Sequence, residues 1–344
     1  MKKFFLMFVS LAVLSFFSCK EKKAKGELVV YGSCGDLHLA AVCQQFEKLT
    51  GIKTIYYRFS SGEVLSKIAS EYGVPSADVW FGGTTDPYNE AAFKGLLQPY
   101  EAKNAVHLIN PQFKDSGNQW YGIYRGVLGF FWNTEELKKY NLAPPADWDD
   151  LLSPKYKGLI AFANPKTAGT GKLIVNTLVQ IKGEEEAMDY FAKLDKNVCK
   201  YTKSGSSPSK LVPTGEIVIG IGFLHNVVRQ IVDNGFTNIG MTSPSSGTAY
   251  EIGATAIFKG CKNLENAQKF IEFALSPDCV DIAQDYGSYQ FLVIDNAKPV
   301  QAALDAGLDK ISSINYDFED AMVNGPKYYD EFFKAVTVDE RFEE

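Results

Sequence analysis

Three times within the first hundred residues, a short apolar run gives way to small or hydroxylated residues and then to a stretch with helical spacing. Leu28-Val29-Val30-Tyr31 stops at Gly32-Ser33-Cys34-Gly35. Leu37, Ala40, Ala41, Cys43, Phe46 and Leu49 then mark the buried face of a helix that Gly51 ends. Lys53 to Phe59 leads into Ser60-Ser61-Gly62 and a second helix through Val64, Ile68 and Tyr72. Ala77 to Phe81 leads into Gly82-Gly83-Thr84-Thr85-Asp86 and a third helix ending near Gly95. Strands joined by crossover helices must run parallel, and the helices must cover the sheet faces. The chain is therefore α/β, with mainly parallel sheets flanked by helices. In such sheets solutes bind at the carboxyl ends of the strands.

The same alternation returns later, with a strand at Leu159 to Ala163 and helices at Lys172 to Ile181 and Glu184 to Leu194. A polar loop follows at Ser204 to Ser209, then a strand at Ile217 to Phe223 and a helix through Val228, Ile231 and Val232. Further helices are expected at Leu264 to Leu275, Asp278 to Tyr286 and Gly325 to Val336. At 344 residues the chain exceeds what one core holds, about 250–300 residues, so two lobes are expected. Two long β-rich stretches, Tyr121 to Asn133 and Ala249 to Phe258, are placed to cross between them as a hinge. The division runs 27–124 plus 250–300 for one lobe and 125–249 plus 301–344 for the other.

Residues 1–18 read as a secretory signal peptide: Lys2 and Lys3, then an apolar run from Phe4 to Phe17 too short to span a bilayer. Leu14-Ser15-Phe16-Phe17-Ser18-Cys19 resembles a bacterial lipobox, which implies lipidation of Cys19 and a lipoprotein tethered by residues 19–26. The expected location is the periplasm or cell surface, anchored to a membrane. The other cysteines, Cys34, Cys43, Cys199, Cys261 and Cys279, are odd in number and irregularly spaced, so free thiols are expected rather than a disulfide framework.

A formal charge of −6 leaves no basic stripe for a nucleic-acid backbone. His38, His107 and His225 lie far apart, and HExxH, CxxC and G-x-S-x-G motifs are absent. Neither an enzyme nor a bound metal or other cofactor is expected. Thr167-Ala168-Gly169-Thr170-Gly171-Lys172 approaches a Walker A loop but fails its spacing, with Lys166 at the first glycine and Leu173 at the Ser/Thr position.

The candidate site lies at the helix starts. Ser33, Ser61, Thr84, Thr167, Gly169 and Thr170 stand where strands end, each with free backbone N–H groups and a positive dipole end nearby. Singly, such residues are ordinary N-caps. Aimed at one sheet edge, they suit a phosphate or carboxylate. His225 and Asn226 follow the strand ending at Leu224, and Glu251 stands at the mouth of the second crossing. Neutral donors and acceptors beside a carboxylate suit the hydroxyls of a polyol. Arg125 is open to pairing with an anion or with a carboxylate between the lobes, and Tyr328-Tyr329 is read as packing.

Several segments together resemble the ferric-binding and sugar-phosphate-binding branch of extracytoplasmic solute-binding proteins of ABC transporters. They are LVVYG (28–32), FEKLTGIK (46–53), ADVWFG (77–82), GLLQPY (95–100), residues 120–133, ANPKTAGTG (163–171), GTAYEIGATAIFK (247–259) and NAQKFIEFALSP (266–277). The resemblance implies the two-lobed type II periplasmic-binding-protein fold, a monomer closing on a small anionic solute, and delivery to an ABC transporter permease. Ferric-binding members carry a tandem tyrosine pair where this chain has His225-Asn226. The sugar-phosphate-binding members are more similar, with a His and a Glu at the places of His225 and Glu251. Asn226 departs from the Asp of hexose-phosphate binders. The expected solute is a sugar phosphate or similar organophosphate, with ferric iron plus a synergistic anion, or a phosphonate, as alternatives.

Overall fold

The computed structural model describes residues 26–71 and 73–343. The signal peptide, Cys19, all of the tether but Gly26, and Tyr72 lie outside the described residues. The order β1 (Glu27–Gly32), α1 (Asp36–Thr50), β2 (Lys53–Arg58), α2 (Ser61–Ser70), β3 (Val79–Thr84) and α3 (Thr85–Phe93) opens the chain. β4 (Leu97–Gln98) precedes the long β5 (Trp120–Asn133). Then come α4 (Thr134–Lys139), β6 (Ile160–Ala163), α5 (Gly169–Lys182), α6 (Glu184–Leu194) and β7 (Val198–Thr202). They are followed by α7 (Ser207–Thr214), β8 (Ile219–Phe223), α8 (Leu224–Val232) and β9 (Ile239–Thr242). The chain closes with β10 (Tyr250–Phe258), α9 (Leu264–Ala274), α10 (Pro277–Val280), β11 (Phe291–Leu292), α11 (Gln301–Asp305) and α12 (Phe318–Ala335).

β2-β1-β3 run parallel, as do β7-β6-β8. β10 and β5 join the two sets antiparallel, in the order β2-β1-β3-β10-β5-β8-β6-β7. β5 serves both sets. Residues 120–127 pair with β10, whereas residues 128–133 pair with β8 and β9. The molecule is thus two α/β lobes connected through strands.

Alternate residues of each strand feed opposite faces, as the pleat requires. Val30 and Phe81 pack with Phe46 and Phe270 on one face of the first sheet. Tyr31 and Trp80 pack with Tyr88 and Phe258 on the other, where Trp80 and Tyr88 stack at 3.9 Å. The second sheet is likewise covered twice, by Phe130, Trp148, Phe162 and Phe332 and by Phe131, Val212 and Val228. A sheet buried on both faces leaves its strand ends as the place where polar groups can gather.

Some boundaries differ from the sequence expectation. The buried stripe of α1 is Leu39, Val42, Cys43 and Phe46, while Leu37 and Leu49 are exposed. That stripe is a stricter i, i+3, i+4, i+7 set than the expected one. α12 begins at Phe318, seven residues before the expected Gly325, and carries Pro326 within it. The helix Ser207–Thr214 begins within the polar loop expected at Ser204 to Ser209 and runs on past it. Cys34, Cys43, Cys199, Cys261 and Cys279 are free thiols.

Candidate ligand-binding site

Six helices start directly after parallel strands: α1, α2, α3, α5, α7 and α8. Residues from the start of every one of them line a single cavity of about 200 Å³. Within each lobe the parallel strands end at one edge. The two sets run in opposite directions because β3 and β8 are joined through antiparallel β10 and β5, so the two edges face each other and the helix N-termini converge on the space between them. Each N-terminus presents N–H groups without an intrahelical partner and a partial positive charge. No side chain caps α1, α3, α5, α7 or α8.

Two glycines let the hydroxyls crowd together. Gly83 has a φ of 85°, and a Cβ there would lie 2.2 Å from the Ser61 hydroxyl oxygen and 2.6 Å from Ser33 Cβ. A Cβ on Gly169 would lie 1.9 Å from Thr84 Oγ1. Ser33, Ser61, Thr84, Gly169 and Thr170 all line the cavity. Ser33 Oγ accepts from Trp80 Nε1 at 2.9 Å, which leaves its proton to donate. Thr84 Oγ1 is buried without a partner. Thr167, expected beside them, does not line the cavity. The turn closed by Ala168 N–H on the Asn164 carbonyl directs its hydroxyl to the Lys203 carbonyl, 2.8 Å away.

Three cationic side chains in the lining were not found from sequence: Arg58, Lys210 and Arg229. Arg58 Nη2 donates to Ser204 Oγ at 3.2 Å, so the end of β2 reaches the loop before α7. Arg229 Nε lies 3.6 Å from Asp233 Oδ2. Burial first, and then the charges of Arg229 and Arg58, depress the pKa of Lys210, against a smaller opposing effect of Asp36. The two arginines thus make the charged form of Lys210 costly, which is the condition an anionic solute relieves. Arg229 lies one helical turn after His225 on α8, a spacing that places both on one face and could have revealed it. Lys210 had no such signal, because α7 itself was unrecognised. Arg125 lies outside the lining, its guanidinium 5.2 Å over the Phe291 ring.

His225, Asn226 and Glu251 line the same cavity. The His225 ring stacks on Phe223 at 5.4 Å, and its Nε2 stands 3.7 Å from Glu251 Oε1. Burial lowers the His225 pKa to about 3. Burial also pushes the Glu251 carboxyl well above the usual carboxylate range. Both shifts favour uncharged forms, so the contact is between two neutral groups rather than an ion pair. Gly126 on β5 makes the room, since a Cβ there would lie 2.4 Å from His225 Nδ1. That Nδ1 is buried with no partner. The cavity therefore combines cations, hydroxyls and helix N-termini with neutral hydrogen-bonding groups. A cavity smaller than the ~300–1,000 Å³ typical of drug-sized ligands suits a small solute.

Residues 41–290 match the family described as bacterial extracellular solute-binding protein. An uncharacterized protein of Haemophilus influenzae is 39% identical over 301 residues, covering 86% of each chain. The periplasmic binding protein AfuA from Actinobacillus pleuropneumoniae, solved with exogenous fructose-6-phosphate bound, is 36% identical. It matches with a TM-score of 0.86 over 92% of this chain and 100% of its own. The periplasmic binding protein P5PA is 31% identical, with a TM-score of 0.85 over 91% of this chain and 100% of its own.

Proposed function

The chain belongs to the bacterial extracellular solute-binding protein family, and within it we propose a lipid-anchored receptor of an ABC importer for a sugar phosphate or similarly small organophosphate. The observation that carries this reading is the pairing of two chemistries in one cavity. Arg58, Lys210 and Arg229 gather with six helix N-termini and the hydroxyls of Ser33, Ser61, Thr84 and Thr170. Gly169 brings backbone close to the same place. His225, Asn226 and Glu251 offer neutral groups for sugar hydroxyls. Hydrogen bonds to ionised oxygens are about twice as strong as neutral ones, so the anion supplies affinity and the polyol supplies selection. AfuA, 36% identical and solved with fructose-6-phosphate, supports the same class of solute. Fe³⁺ is disfavoured, because three cationic side chains would repel it.

In this reading residues 27–124 plus 250–300 form one lobe, residues 125–249 plus 301–344 the other, and β5 with β10 the hinge. Cys19 carries the lipid, the permease receives the closed form, and the chain works as a monomer without chemistry of its own. Thr167 acts indirectly, by holding its loop against Lys203.

A thermal-shift screen tests the solute. Ligand at 100 times its Kd adds ~2.7 kcal/mol to stability. Fructose 6-phosphate or glucose 6-phosphate should raise Tm more than inorganic phosphate, 2-aminoethylphosphonate or Fe³⁺. A larger shift with Fe³⁺ or the phosphonate than with any sugar phosphate would overturn the proposal.

A further inference from the structure

β11 adds a third wall to the neutral part of the cavity. It pairs antiparallel with β5 in the register Phe291 to Arg125 and Leu292 to Tyr124. One step further, that register sets Gln290 beside Gly126. On the other side of β5, Gly126 is paired with Glu251 of β10. Gln290, the residue before β11, thus lies abreast of Gly126 on β5 and Glu251 on β10 by extension of the register, where side chains of neighbouring strands share a face. It is the face on which a Gly126 Cβ would meet His225 Nδ1 and, at 3.1 Å, Glu251 Oε1.

Gln290 lines the cavity and is 8% exposed, and its Oε1 has no hydrogen-bond partner. Ser288, two residues back, also lines the cavity. Its hydroxyl is held 3.0 Å from Nδ1 of the buried His38. Between them Tyr289 points away and donates its hydroxyl to Asp233 of the segment after α8, which ties the strand in place. Buried amide oxygens are satisfied in nearly all native structures, so one left unpartnered in the lining of a cavity that holds another orphan, His225 Nδ1, marks the place of a donor brought by the solute.

We infer that Gln290, with Ser288 alongside, is a specificity-determining contact that accepts a hydroxyl of the solute's carbon chain. The inference rests on the sugar-phosphate reading of the same cavity. It extends that reading in one direction. The neutral wall comes from three strands, and it selects solutes bearing hydroxyl donors over bare phosphate.

The test is titration calorimetry of the full soluble chain with fructose 6-phosphate, glucose 6-phosphate and inorganic phosphate. Gln290→Met keeps the length and bulk of the side chain and removes both the amide oxygen and the amide nitrogen. It should weaken at least one sugar phosphate by about tenfold to a hundredfold, the range expected when a buried polar partner is lost, and inorganic phosphate by less than about twofold. Ser288→Ala should shift the same ligands in the same direction by a smaller factor, and it carries the test if Gln290→Met does not fold. Unchanged sugar-phosphate affinity in both variants would overturn the inference while leaving the sugar-phosphate reading intact. Equal losses for phosphate and its esters would overturn it too, by moving Gln290 to the anion. Failure of the unmodified chain to bind any sugar phosphate would overturn both.

Discussion

Thr170 and Glu251 are the side chains whose removal best separates the two chemistries of the cavity. Thr170 stands at the start of α5 against Gly205, whose Cβ would lie 2.0 Å from its hydroxyl oxygen. A hydroxyl bonded to an ionised phosphate contributes ~1.5–3 kcal/mol. Thr170→Ala should therefore weaken inorganic phosphate and every phosphate ester by a similar factor in calorimetry. Glu251 favours its neutral acid form through burial, so Glu251→Gln conserves shape and charge state while exchanging a hydroxyl for an amide nitrogen. Its effect should vary from one sugar phosphate to another and be small for inorganic phosphate. Thr170→Ala sparing the esters, or Glu251→Gln weakening inorganic phosphate equally, would contradict this division.

At the scale of elements, helix N-termini and the charges they carry decide what enters. Lys210 lies in the first turn of α7 and lines the cavity together with Arg58 and Arg229, its pKa lowered by burial and by the charges of both. An anion removes that repulsion and takes a charge-assisted bond. Lys210→Met should lower phosphate-ester affinity by roughly tenfold or more and flatten its dependence on salt. An unaltered salt dependence would place Lys210 outside the anion contacts. The strand-to-helix junctions that build this site were legible, because Ser33, Ser61, Thr84 and Gly169 interrupt apolar runs where helical spacing begins. α7 was not legible. Ser207, Ser209, Pro208 and Pro213 hide its period, so Lys210 carried no signal. Pro326 hid the start of α12 in the same way, since proline inside a helix is normally a boundary. Arg58 needed the pairing of β1 with β2, and Gln290 the register of β11, neither of which local pattern contains.

The whole molecule adds a contact between the lobes that does not touch the cavity. α3 of the first lobe carries Asp86 and Glu90, and α5 of the second carries Lys172 and Asn176. Lys172 Nζ donates to Glu90 Oε2 at 2.8 Å and lies 4.6 Å over the Tyr329 ring of α12. Asp86 accepts from Asn176 Nδ2 at 3.2 Å and from the Tyr316 hydroxyl at 3.1 Å. Burial raises its pKa to about 6, partly offset by these hydrogen bonds and by the charge of Lys172. If the lobes part, Asp86 meets water and returns toward ~3.9. Between those values the closed form binds the proton more tightly, so lowering the pH from about 6 towards ~3.9 favours closure, and above about 6, where both forms are deprotonated, the equilibrium no longer depends on this group. The full linkage is about 3 kcal/mol at most, enough to move a balanced equilibrium strongly to one side. Small-angle scattering of the solute-free chain should give a smaller radius of gyration at pH 5 than at pH 7.5. Solute must be absent, because the second pKa of a phosphate ester is itself ~6. Asp86→Asn is neutral at both pH values and keeps the hydrogen-bonding shape, so its radius should stay small across the range. A pH-dependent radius that survives in Asp86→Asn would assign the effect to another group, and a radius independent of pH in the unmodified chain would remove Asp86 from the closing equilibrium.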